Sequence, residues 1–199
     1  MANKDKGNDD LDKEEIPQIV DAQSDFEKTV EENKILIVAL LCLALLGTSG
    51  WFLLKYRRDK ELKDASIALT SAETIEDYNL VIKDHGGTVA AGNAYLAKAQ
   101  LMIDSGRSDE AHQVLRKFIE LYEDHPRHAQ AILGLGTLLE ESGNLEAAES
   151  RYREIITLHP DSELAPYAKI RIGDIKWSQG HGEEARLVFE EIPPSYPRT

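Results

Sequence analysis

Apolar residues are arranged along this chain in three ways: sparse at first, then continuous, then periodic. The continuous stretch is ILIVALLCLALLGTSGWFLL, 20 successive residues from Ile35 to Leu54 without a charge. As a helix rising about 1.5 Å per residue it spans roughly 30 Å, the hydrocarbon thickness of a bilayer. Lys34 and Lys55 bracket it, and Trp51 and Tyr56 stand where an interfacial aromatic belt would lie. A buried core helix of this length would show a polar face, and none begins before Thr48. A cleavable leader would have a short basic start and an apolar core of about 7–15 residues. Here an acidic stretch precedes the run and no A-x-A site follows, so residues 34–56 are expected to form a retained transmembrane helix. Residues 1–33 are polar and read as a largely disordered tail. Ser24 and Glu27 have capping-box spacing within it, opening a short helix on which Phe26 and Val30 share a face.

Beyond the apolar run the pattern becomes helical and repeats. Tyr56 to Ala72 contains neither Gly nor Pro and continues as a stalk. A second helix is expected from near Thr74, with Asp77 three residues on and Tyr78, Val81 and Ile82 turned inward, ending at Gly86-Gly87. Residues 57–90 therefore read as a stalk with a degenerate helix pair. In residues 91–192, Gly106, Gly143 and Gly180 are spaced 37 apart. Ahead of each stands a small residue (Ala99, Gly136, Gly173), and after each an alanine (Ala111, Ala148, Ala185). Bulky residues follow at Leu115, Tyr152 and Phe189, then at Phe118, Ile155 and Ile192. This resembles the tetratricopeptide-repeat pattern, most fully in AQAILGLGTLLEESGNLEAAESRYREIITLHP (129–160), which ends in Pro160. Gly136 and Ala148 would let the two helices of a unit approach closely, while Tyr152 and Ile155 would fill the gap to the next unit. Ser108 and Asn144 are N-cap types, with Asp109, Glu110 and Glu146 in the following turn. The excess over the usual repeat of about 34 residues is expected in loops near His125–Arg127 and Asp161–Leu164. Residues 193–199 are expected to be a C-terminal tail without a capping helix. Leu187, Val188 and Ile192 are thus expected to lie partly uncovered and to need a partner or self-association. The fold expected is all-α: about three tetratricopeptide units and one degenerate helix pair, behind a single N-terminal transmembrane helix.

Charge narrows the function. The net charge is −13, with 11 acids against 4 bases in residues 1–33 and 25 against 15 in residues 59–199. Such an acidic surface repels phosphate backbones and disfavours nucleic acid. The basic group Lys55, Arg57 and Arg58 abuts the apolar run, as a juxtamembrane anchor does, and by the positive-inside rule favours a cytoplasmic C-terminal domain. Cys42, the single cysteine, permits no disulfide framework within one chain. His125 and His128 flank Pro126 in an expected loop without further ligands, and all six histidines read as solvated. Gly134–Gly136 lies within a helix and is not a phosphate loop; no nucleophile or nucleotide motif occurs. No catalytic residue, cofactor or metal is expected.

The chemistry left is a concave groove lined by the first helix of each unit. Carrying over the groove-facing repeat positions gives Asn93, Leu96, Gln100, Ile103 and Asp104, then Gln130, Leu133, Thr137, Glu140 and Glu141. The third unit gives Tyr167, Ile170, Asp174, Trp177 and Ser178. Tyr167 and Trp177 are the candidate anchors, aromatic side chains dominating interface energetics; Trp177 could equally pack on the next helix. The set lacks the Lys and Arg of a peptide-carboxylate clamp, and its acids favour basic or neutral segments.

The layout of tail, anchor, degenerate pair and repeats resembles the ancillary SecYEG translocon subunit (YfgM-like) family of bacterial inner membranes. The likeness runs from Asp25 to about Ile192, through FEKTVEENKILIVALL, AYLAKAQLMIDSGRSDEA and ILGLGTLLEESGNLEAA. It implies a single-pass protein whose repeats face the periplasm and associate with the Sec translocon and periplasmic chaperones. The basic C-terminal flank of the apolar run departs from that placement. A self-assembling organiser of cell-division or wall-synthesis machinery is the alternative expectation.

Overall fold

The computed structural model describes residues 19–192, with side chains from Phe26 onward. They form eight helices: α1 (Ile19–Ser71), α2 (Ile75–Asp84), α3 (Val89–Asp104), α4 (Ser108–Leu121), α5 (His128–Glu141), α6 (Leu145–Leu158), α7 (Leu164–Ser178) and α8 (Gly182–Glu190). Among the described residues there is no strand. The expectations for residues 1–18 and 193–199 lie outside the described residues. The chain divides into two units, Met1–Arg57 and Arg58–Thr199.

In the first unit, α1 runs unbroken through the apolar stretch. Ser24 lies within it rather than capping it, because the helix already starts at Ile19. The helix is long and apolar enough to cross a membrane, and none of its most apolar window is buried. Leu43, Leu46 and Phe52 are all more than half exposed. Twenty uncharged, mostly apolar residues kept out of any core are stable only against another apolar medium, so the segment suits a lipid anchor. Thr48 donates its hydroxyl back to the carbonyls of Ala44 (2.9 Å) and Leu45 (3.1 Å), so it brings no unbonded donor into such a medium. At the end of the run the Lys55 ammonium lies 5.3 Å from the Trp51 ring centroid.

The second unit is a solenoid of antiparallel helix hairpins. Thr74 caps α2 reciprocally: its hydroxyl accepts from Asp77 N (3.2 Å), and the Asp77 carboxylate accepts from Thr74 N (3.0 Å). The Thr74 hydroxyl's bond to that carboxylate (2.7 Å) first, and then the bonds from Thr74 N and Glu73 N, hold the Asp77 carboxyl below its ordinary pKa. Val81 is buried, with Tyr78 and Ile82 beside it, in a small cluster shared with Ala72 and Ala94. The main core passes through α3 to α7, with Phe118, Ile132, Leu135, Tyr152, Ile155, Ile172 and Ile175 fully enclosed.

The repeat period arises from two devices. After each first helix, Gly106, Gly143 and Gly180 adopt φ of 72°, 79° and 80°, the left-handed region open to glycine. There they close the same double bond, as in Gly143 N to Glu140 O (2.9 Å) with Asn144 N to Leu139 O (2.9 Å). Opposite, Gly136 faces the ring of Tyr152, and a Cβ there would come 2.6 Å from Tyr152 Cε1. Gly173 faces the Phe189 ring in the same way. The small position therefore admits a ring from the second helix, a more specific reason than close helix approach alone. Two expected caps differ. Ser108 is the first residue of α4, with Arg107 before it, and Asn144 makes no side-chain cap bond. The α4 start is held instead by Arg107, whose guanidinium donates to Glu110 (2.7 Å). At the far end Ile192 is buried, contrary to expectation, while Leu187 is exposed and Val188 half-buried.

Candidate functional site

Two histidines are buried where repeats meet, which corrects the reading of them as solvated, while Glu123, Asp124, Pro126 and Arg127 around them stay exposed. His125 and His128 are 8% and 3% exposed. His125 Nδ1 accepts from Arg127 N (3.0 Å), so its Nε2 carries the proton toward Val89 O (3.2 Å). Its ring fits because Gly92 has no side chain: a Cβ there would meet His125 Cδ2 at 2.6 Å. Phe118 and Tyr122 pack against it edge-on. His128 Nε2 lies 3.2 Å from Ile119 O, and its Nδ1 is 2.8 Å from His159 Nε2. The carbonyl requires a proton on His128 Nε2, which leaves Nδ1 to accept from His159. Burial first, and then the neighbouring His128, push the His159 pKa down, against an opposite pull from Glu154. These histidines hold loops together; among the described residues no group of three metal-binding side chains occurs.

The expected groove residues fall into distinct environments. Asn93 is half-buried, and its Oδ1 is enclosed without a hydrogen bond. Leu96, Ile103 and Leu133 lean on the core. Gln100 is exposed and donates to Asp104 (2.8 Å). Gln130 and Glu141 are exposed. The Thr137 hydroxyl is taken up by Leu133 O (3.1 Å). On α7, Tyr167 is 39% and Trp177 68% exposed, a large apolar area left in water. Trp177 lies along the start of α8, where a Cβ on Gly182 would meet its ring at 3.7 Å.

One residue absent from the sequence-based set governs the electrostatics. Arg171, half-buried on α7, reaches back to α5 and donates to Glu140; it also lies 3.3 Å from Asp174. The Tyr152 hydroxyl donates to the other Glu140 oxygen (2.8 Å). Burial opposes the Arg171 charge, but the bonds with Glu140 and Tyr152 outweigh it and raise its pKa. Burial likewise raises the Tyr152 phenol. Glu140 is therefore a paired structural acid rather than a free groove charge. A second bridge, Lys176 to Glu149 (3.0 Å), joins α7 to α6. The bond to Glu149 holds Lys176 charged. Sequence alone offered one signal for Arg171, a base standing 37 residues after Gly134.

Between α7 and α8 lies a cleft of about 1110 Å³, lined by Ile170, Asp174, Trp177, Arg186, Phe189 and Ile192 among others. It joins apolar walls to an acidic rim, an arrangement that suits binding. A family model for the tetratricopeptide repeat-like domain matches residues 30–195. No curated protein matches the chain.

Proposed function

The chain belongs to the tetratricopeptide repeat-like family, and from that premise we propose that it is a membrane-anchored protein-interaction scaffold serving protein translocation or an envelope chaperone network. The observation that carries this reading is the pairing of a wholly unburied apolar helix with exposed Tyr167 and Trp177 on a repeat solenoid. An uncovered apolar helix of this length has no use in a chain that stays in water. In this reading residues 35–54 lie in a bacterial inner membrane, the tail 1–33 on one side and the repeats on the periplasmic side. The partners are the Sec translocon and periplasmic chaperones, met along Asn93, Gln100, Gln130, Leu133, Thr137, Tyr167, Asp174 and Trp177. No catalytic step is assigned to it. The periplasmic placement rests on the family layout, against the pull of Arg57 and Arg58.

The test is a reporter active only outside the cytoplasm, fused after Thr199, combined with co-purification of translocon subunits from native membranes. Activity and co-purification together are expected. A silent reporter, with a cytoplasmic reporter active at the same position, removes the periplasmic role and moves the partners to the cytosol. A self-assembling organiser is the second reading, favoured by the exposed Leu187 at the end of the solenoid. Light scattering of the detergent-solubilised chain distinguishes it, since an organiser of this kind is an oligomer and the favoured scaffold a monomer.

A further inference from the structure

The three repeats close the layer between their two helices differently. Residues 37 apart recur there: Gln100, Ile103 and Leu115; Thr137, Glu140 and Tyr152; Asp174, Trp177 and Phe189. In the first unit the next helix presents Gly134, where a Cβ would stand 3.6 Å from Leu115 Cδ1, so backbone closes the layer. In the second, the residue 37 after Gly134 is Arg171, and its guanidinium closes the layer on Glu140. In the third, no described helix follows α8, and the equivalent layer is the open α7–α8 cleft.

We propose that this cleft accepts an amphipathic helix of a partner protein, which inserts an arginine or lysine against Trp177, Asp174 and Phe189 as Arg171 enters the layer before. The docking surface continues an interface the chain already builds between α4 and α5 and between α6 and α7. Its chemistry selects a cation. Trp177 stands where Glu140 stands in the second unit, and an indole face attracts a guanidinium or ammonium. Asp174 lends Oδ2 to Arg171, which leaves Oδ1 for an incoming donor. Phe189 in place of Tyr152 removes the hydroxyl and keeps the wall apolar. Around the cleft Arg171, Lys176 and Arg186 bridge Asp174, Glu184, Glu183 and Glu190, which leaves the acids one in excess and the local field weakly favourable to positive charge.

The proposal rests on the scaffold reading, and its test is independent of topology. In full-length protein carrying Trp51→Phe, in detergent, Trp177 is the sole tryptophan. The probe is a stapled peptide of residues 164–178 with Trp177→Phe, its helicity checked by circular dichroism, beside the same peptide with Arg171→Gln. Saturable change in Trp177 emission is expected with the arginine peptide, at an affinity at least tenfold above the glutamine peptide. The preference should vanish in Asp174→Asn protein. Equal binding of both peptides, or of neither, overturns the proposal. So does a cleft filled by a second copy, seen as a dimer in light scattering. Occupation by residues 193–199 also overturns it; their deletion would then expose Trp177 to iodide quenching. A negative result here leaves the reporter and co-purification outcomes unaffected.

Discussion

The second and third repeats share a register of 37 residues, yet α8 has nine residues where α6 has fourteen, and among the described residues one layer is closed and the other open. In the second, Tyr152 is fully enclosed between Gly136 and Glu140, and Arg171 ties the layer to the following helix. In the third, Phe189 meets Gly173 in the same way, but Glu140 has become Trp177 and no described helix closes over it. The lesson is that the packing device, a glycine facing a ring, is repeated for folding. The residues around it vary with what must cover them. A layer covered by its own chain can hold an ion pair, whereas an open layer keeps an aromatic surface.

Matched substitutions in the two units should separate these roles. Tyr152→Ala is expected to cost about 4 kcal/mol, the range for a fully buried large aromatic, and Phe189→Ala roughly half of that because the ring is only half-buried. Urea midpoints of the full chain in detergent give both values. Gly136→Leu comes next, at about 3 kcal/mol or more. The ring of Tyr152 has nowhere to move, so the α5–α6 hairpin must open, with loss of helical circular dichroism. Arg171→Met should cost about 2 kcal/mol by leaving the half-buried Glu140 without its cation. Its midpoint should recover when Glu140→Gln is added. In the open unit, Trp177→Ala should change stability by no more than about 0.5 kcal/mol, since the side chain is mostly in water.

The smallest effect is with pH and belongs to the seam between the units. Folding lowers the His159 pKa below the unfolded value of about 6.5. As pH falls through that value the unfolded chain takes the proton first, so it binds more protons than the folded one. The contribution is thus full above about pH 6.5 and is lost as pH drops toward the folded pKa. His159→Gln retains a donor for His128 Nδ1 and should shrink the difference in urea midpoint between pH 8 and pH 5.5. An unchanged difference would remove His159 as the source.

The repeat was legible because its marks are backbone requirements. A left-handed turn at Gly143 favours glycine, and a ring against Gly136 leaves room for glycine or another small residue such as Ala99, so these positions recur in sequence. The apolar span was legible for a similar reason, being uninterrupted by charge. What sequence concealed depends on partners distant in the chain. His125 looked like a solvated loop residue, and only its fit against Gly92, more than thirty residues away, shows that its ring is buried. Arg171 was missed because its partner, Glu140, lies one repeat earlier. Ser108 was misread by a single position, since Arg107 holds the α4 start through Glu110.

The central claim, that the third repeat presents a protein-binding surface, is tested most directly by co-purification from native membranes. Wild-type protein is compared with the Tyr167→Ala, Trp177→Ala double variant, with helicity and urea midpoint checked alongside. The account predicts that specific co-purifying proteins are lost while fold and stability stay within error. Identical co-purification from a correctly folded double variant would contradict it.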